Sequence, residues 1–221
     1  GLKEPSIYLN SAKKNAVETI CSIITNFYNK LIKLKPDAVV VLGDTNSAMG
    51  VFAAKKLKIP IFHLEAGNRC FNLNNPEELN RKIVDHISDI NMPYTSIARS
   101  YLLNEGIDPD KIIKVGSPMS EVLLNISPRL KKRNTLNKFK LIKDKYFLVS
   151  FHREENILDP RKVQKFVDLL DYLAKEYKHK VIVSTHFRTK EVLKQKKYSN
   201  NLVEFHKPFG FIDYINLEIN S

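Results

Sequence analysis

Four titratable residues stand where a strand should end or a helix begin: Asp44 in VVVLGDTNSAMG, Glu65 in IPIFHLEAGNRCFN, Glu77 in NPEELNRKIVDHISDIN and His152 in YFLVSFHREENI. In open α/β sheets the carboxyl ends of the strands form the edge where ligands bind. Three carboxylates converging on one crevice can divide their labour, one protonated while another is ionised. Moving a proton on and off carbon, or onto a leaving oxygen, needs that arrangement. Each residue also has an ordinary reading. Asp44 heads a run of Asp, Thr, Asn and Ser, all good helix caps. Glu65 at a buried strand end is costly unless paired or used. Glu77 follows Pro76 in a helix start where acids suit the dipole, and Arg81, one turn on, is placed to salt-bridge it. His152 is followed by Arg153, and His186 at the next strand end by Arg188. A repeated strand-end His with a nearby Arg suits an anion such as a diphosphate; a packed or capping His is the alternative. No GxGxxG, Walker loop, zinc motif or Gly-x-Ser-x-Gly elbow accompanies them, so bound nicotinamide, ATP hydrolysis and serine hydrolysis lack support.

The elements that must position these residues alternate. Ser11 to Leu34 has helical spacing, with Val17, Ile20, Ile24, Phe27, Leu31 and Leu34 on one face and Pro36 as the stop. Asp37 to Leu42 is a short β-branched run, the pattern of a parallel strand buried on both faces. A helix over Ser47 to Leu57, a strand over Ile59 to Leu64, a helix over Pro76 to Ser88 and a strand over Ile90 to Pro93 follow. Ile97 to Asn104 reads as a helix and Lys111 to Val115 as a strand. The Lys-rich, weakly periodic stretch 126–145 reads as a linker between residues 1–125 and 146–221. Beyond it the pattern restarts with strands over Tyr146 to Phe151, Lys180 to Thr185 and Leu202 to Phe205, helices over Arg161 to Tyr177 and after Arg188, and a helical tail from Gly210. The fold class is therefore α/β with two units. The chain opens on a helix and on Gly, and its second unit has three strands, so a longer two-domain protein is expected.

Composition narrows the classes further. Of 221 residues, 43% are hydrophobic and 27% charged, a globular balance, and no apolar run of roughly 18 residues could cross a bilayer. GLKEPSIYLN has no secretory pattern, which makes the cytoplasm the expected compartment. Cys21 and Cys70 lack metal or disulfide spacing. The net charge of +12 would suit nucleic acid, but the basic residues are scattered over helix faces without interleaved aromatics, so no nucleic-acid partner is expected.

The segments GDT, H-x-EAG-x-R, PEE-x-NR, G-S-P-M and H-R-x-E-N, in this order and spacing, resemble the UDP-N-acetylglucosamine 2-epimerase family over nearly the whole chain. HLEAGNRC, NRKIVDHISDIN and KVGSPMSEVL look closer to the capsule and O-antigen branch that makes UDP-N-acetyl-L-fucosamine. The resemblance implies two Rossmann-like domains facing across a cleft, the GT-B arrangement, with both domains incomplete here. It implies a UDP-N-acetyl-hexosamine substrate and anti elimination of UDP to a 2-acetamidoglycal. UDP then adds back with C2 reprotonated on the opposite face, without metal or redox cofactor. On this likeness Asp44, Glu65, Glu77 and His152 are the catalytic set. Arg69, Arg81, Arg153 and His186 would serve the carboxylates, sugar or diphosphate. A bacterial homodimer is implied, with a second polypeptide as a possible source of the missing segments. The chain departs from the family in lacking its G-T-R-P-E and S-D-S-G-G type segments and in reading THFR for T-H-P-R and G-S-P-M for G-N-T. A silent fragment or UDP-sugar binder is therefore the alternative, and a GT-B glycosyltransferase a weaker third.

Overall fold

The computed structural model describes residues 4–151, 160–185 and 198–221. The chain divides into two compact units, residues 1–118 and 119–221. In the first, helix α1 spans Ala16–Leu34. Asn15 caps it by accepting from the Glu18 N–H at 2.9 Å and donating to the Glu18 carboxylate at 2.8 Å, a reciprocal cap. It ends at Lys35, whose left-handed backbone (φ 47°) returns an N–H to Leu31. Ser11 to Lys14 stay outside the helix. Its core face centres on Ile23 and Leu31, with Ile24 and Phe27 packed at the margin, while Val17 and Leu34 are exposed. The apolar stripe expected from spacing thus runs out into solvent at both ends.

Strands β1 (Val39–Leu42), β2 (Ile61–Leu64) and β3 (Ile90–Met92) form a parallel sheet in that order, with Val39 opposite Ile61 and Phe62 opposite Ile90. Val39 and Val41 pack into a core with Leu31, Ala54, Ile61 and Val84, whereas Val40 and Leu42 are 64% and 60% exposed. Burial on both faces, expected for β1, fails because the described unit supplies no layer over that face. The helix expected over Ser47 to Leu57 divides into a 3-10 turn, Asn46–Gly50, and α2, Val51–Lys56. Helices α3 (Pro76–Ile87) and α4 (Ser96–Asn104) complete the unit. The strand expected over Lys111 to Val115 is reduced to one bridge, Asn91 with Ile112. Ile113 and Val115 nevertheless donate to Asn91 and Pro93, so the segment runs beside β3 without a full ladder. Gly67 (φ +79°) lies so close to α4 that a Cβ would stand 2.4 Å from the Ala98 oxygen. Only glycine permits that approach.

In the second unit, β4 (Tyr146–Phe151), β5 (Lys180–Thr185) and β6 (Val203–His206) form another parallel sheet in sequence order. Helix Pro160–Tyr177 buries Phe166, Leu170 and Ala174 against Val181 and Val183. A second cluster joins Ile182 and Tyr146 to Leu217 of helix Phe211–Ile219 and to Leu141. The stretch 126–145 is consequently packed, not extended as a linker would be. Helix Met119–Lys131 runs into it through Pro128, Thr135–Lys138 forms a turn, and Leu136, Phe139 and Leu141 pack around the core of β5. Its lysines lie between these apolar anchors and mask them in the sequence. Both units have the βα period and parallel order of incomplete Rossmann-like domains.

Candidate functional site at the strand ends of the first unit

β1 leaves the sheet at Gly43, whose φ of +73° turns the chain while its N–H still reaches Leu64 O at 3.1 Å. Asp44 comes next. The 3-10 turn behind it is headed by Thr45, and the Asp44 carboxylate accepts from Arg81 Nη2 at 2.5 Å. β2 leaves at Glu65, a non-glycine residue in the left-handed region at φ +65°, a conformation that costs roughly 1–2 kcal/mol. Arg81 accounts for its stability there: Nη1 donates to the Glu65 backbone oxygen, and Nη2 lies 3.4 Å from its carboxylate. One guanidinium therefore gathers the ends of two adjacent strands. The Arg81 side chain is 7% exposed, against 24% for Asp44 and 35% for Glu65. The cation is buried behind two acids that remain accessible. Asn80, one residue earlier on α3, donates to the Asp44 carbonyl at 2.9 Å and to Asn46 at 3.0 Å, fixing the turn from the other side.

Below this pair lies a buried ionic layer. His63 of β2 lies 2.8 Å from Asp85 and 2.9 Å from the Gly43 carbonyl. Asp85 of α3 also accepts from Gly67 N–H and pairs with Arg69 Nη1 at 2.8 Å. Arg69 makes two further bonds to Glu105, at 2.8 and 2.6 Å, and one to Asn68 O. Burial alone would lower the Arg69 pKa, but the hydrogen bonds and charges of Glu105 and Asp85 outweigh it and raise it. In return Arg69 holds the Glu105 carboxyl below its ordinary value. Arg69, expected to support the carboxylates or the sugar, has a fully buried side chain whose donors are engaged within the protein. It acts on the loop that carries Glu65.

The other expected residues are distributed differently. Glu77 is exposed in the first turn of α3, and among the described residues it has no ion pair. Arg81, expected as its partner, is taken by Asp44 and Glu65. Its neighbour Glu78 is the buried member, 3% exposed, accepting from Cys70 N–H at 2.8 Å. His152, Arg153 and His186 lie outside the described residues. Sequence reasoning did not single out His63, Asn80, Asp85, Tyr94 or Glu105. Tyr94 follows β3, on the same sheet edge. Burial raises its phenol pKa, the Glu65 charge adds to this, and Arg81 opposes it. One signal was available: Glu78, Arg81 and Asp85 recur at the three- and four-residue spacing that an apolar helix face would occupy. Two accessible carboxylates thus stand at neighbouring strand ends beside one buried cation.

The model of the UDP-N-acetylglucosamine 2-epimerase family matches residues 1–221. A UDP-N-acetylglucosamine 2-epimerase of Methanocaldococcus jannaschii is 36% identical over 100% of this chain and 63% of its own length. UDP-2,3-diacetamido-2,3-dideoxy-D-glucuronate 2-epimerase of Pseudomonas aeruginosa is 35% identical over 84% of the chain and 51% of its own. The solved UDP-N-acetylglucosamine 2-epimerase of Rickettsia bellii superposes with a TM-score of 0.91 at 43% identity, covering 100% of this chain and 59% of that one. The Methanocaldococcus jannaschii enzyme in complex with UDP-GlcNAc and UDP gives 0.88 at 35%, covering 99% and 62%. The chain thus spans about 63% of the length of the first curated relatives it matches. No described helix is long and apolar enough to cross a membrane. With the motif order, the parallel sheets and these likenesses in agreement, the chain belongs to the UDP-N-acetylglucosamine 2-epimerase family, of GT-B fold class.

Proposed function

We propose that this chain carries the proton-transfer half of a nucleotide-sugar 2-epimerase acting on a UDP-2-acetamido sugar. The observation that carries the reading is the Arg81 clamp, which holds the Asp44 carboxylate and the Glu65 backbone oxygen at neighbouring strand ends and leaves both side-chain carboxylates accessible. In this reading one of Asp44, Glu65 and Glu77 removes the C2 proton as UDP leaves C1. A second acid delivers a proton to C2 from the opposite face of the glycal as UDP adds back to C1. His152, Arg153 and His186 meet the diphosphate, whose departure needs positive charge and donors. Arg81 sets the direction of the acids, and Arg69 supports them from beneath. The wording of HLEAGNRC and KVGSPMSEVL favours the 6-deoxy-L-talo to L-fuco substrate, for surface polysaccharide precursors. A cytoplasmic homodimer, with any remaining segments supplied by a second polypeptide, fits the same reading.

Proton NMR of UDP-N-acetyl-hexosamines incubated with the chain in heavy water tests it, using the gluco and the 6-deoxy-L-talo sugars side by side. Deuterium at C2 together with a new epimer is the expected result, and the sugar that reacts names the branch. Absence of exchange from a folded chain overturns it for this chain. The partial span of the relatives' length favours a second reading, a UDP-sugar binder without turnover. A melting temperature raised by UDP without C2 exchange selects that reading.

A further inference from the structure

His63 has no part in the acid–base assignment above, yet it lies directly beneath it. The ring is 0% exposed, and each nitrogen faces an oxygen, Asp85 Oδ1 for Nδ1 and the Gly43 carbonyl for Nε2. A carbonyl only accepts, so Nε2 must carry a proton. Asp85 is held as an acceptor by two other donors, Gly67 N–H at 3.2 Å and Arg69 Nη1 at 2.8 Å, so Nδ1 must carry one too. A neutral ring would satisfy one oxygen and turn a lone pair on the other, away from any water. Charge balance agrees. An imidazolium lets His63 and Arg69 offset Asp85 and Glu105, whereas a neutral ring leaves two carboxylates to one guanidinium, with Lys82 3.7 Å from Glu105 at the rim.

The peptide that accepts from Nε2 joins Gly43 to Asp44. A glycine at φ +73° does little to fix its own geometry. The geometry points to His63 as a positioning residue, a buried imidazolium that ties the Gly43–Asp44 peptide to Asp85 and so sets the placement of the Asp44 carboxylate that Arg81 then orients. Its effect on turnover rests on the epimerase reading; its protonation and its tie to Gly43 do not.

Ring-nitrogen NMR of the full chain, labelled with 15N-histidine and recorded at neutral pH, tests the first point. Both His63 nitrogens are expected to be imidazolium-like, each bearing a slowly exchanging proton, with the signals assigned by their loss in H63Q. One protonated and one bare nitrogen overturns the proposal. Two variants test the tie. H63N can keep the donor to Asp85 and loses the one to Gly43, and H63Q reaches Gly43 and gives up Asp85. H63N should lower kcat about 10²-fold with KM nearly unchanged, the scale of a misplaced catalytic group, and H63Q should recover part of it. Equal losses that follow only the variants' melting temperatures would make the ring a packing residue and overturn the role. If the parent chain shows no turnover, the epimerase reading fails on its own account, and the Asp44 backbone amide signal decides the tie. Displacement in H63N with a near-parent position in H63Q supports the tie, and no displacement in H63N overturns it.

Discussion

Replacing Arg81 by Met keeps the aliphatic stem and removes the group that joins two strand ends. Arg81 makes two close charge-assisted bonds, to Asp44 Oδ2 and to the Glu65 carbonyl, while its 3.4 Å contact with the Glu65 carboxylate is too long to count as a full bond. Hydrogen bonds to charged groups contribute about 1.5–3 kcal/mol each. Solvent reaches both acids, with side-chain exposures of 24% and 35%, and screens part of this. The expected loss for R81M is therefore ~2–3 kcal/mol in urea unfolding of the full chain. Part of it comes from the left-handed Glu65 backbone, which no longer has its oxygen held. A cycle with D44N should give a coupling of about 1–2 kcal/mol. R81K should recover less than half, because an ammonium cannot reach both strand ends as a planar fork does. An R81M chain within ~0.5 kcal/mol of the parent, the range of ordinary surface changes, with an additive cycle, would refute the clamp.

Further outcomes follow from the packing around the site. G67A should destabilise by about 3 kcal/mol or more, since its Cβ meets backbone at 2.4 Å and its φ is +79°; a variant that unfolds at the parent's urea midpoint would contradict this. Glu105 is held below its ordinary value of 4.5, chiefly by Arg69. Its contribution is thus complete above about pH 4.5 and is lost as pH falls through the lowered folded value. E105Q should flatten the fall in unfolding free energy on acidification, and an unchanged slope would refute it. L141A should cost about 2–4 kcal/mol as a buried core truncation, measured by thermal or urea unfolding. A cost near zero would return residues 126–145 to the status of a linker.

The strands were legible because they are short, largely apolar runs ended by Gly, Pro or a polar cluster, and the order within each sheet follows their sequence order. The placement of Asp44 and Glu65 was legible for the same reason: both come just beyond such runs, at the ends of β1 and β2. The ionic layer was not. Arg69 and Glu105 are 36 residues apart, and no local periodicity announces a pair closed only when α4 docks over Gly67. The stretch 126–145 misled because composition was read without position. Leu141 is buried and Leu136 and Phe139 pack half-buried against it, while Lys138 and Lys140 between them are exposed. The exposed side of β1 was equally hidden, since a β-branched run shows that a strand can be buried on both faces, not that both covers are present.

The backbone supplies its own argument for the acids. Two adjacent strands leave the sheet through left-handed residues, Gly43 at φ +73° and Glu65 at φ +65°. Glycine takes this conformation without strain, and asparagine with little, whereas a Glu costs roughly 1–2 kcal/mol. Packing gives no reason for the choice: the Glu65 side chain is a third exposed, and its own hydrogen bonds, to Asn68 and Arg81, are both 3.4 Å long. Stability alone would favour glycine at both turns. Under the proposed function, a carboxylate kept there at a cost, with its backbone oxygen held by a buried guanidinium and its oxygens left accessible, is retained for use on a bound molecule. Arg69 differs from Glu65 in that its bonds are short and its side chain is fully buried, so the proposed function gives it support of the loop and leaves proton transfer to the accessible acids.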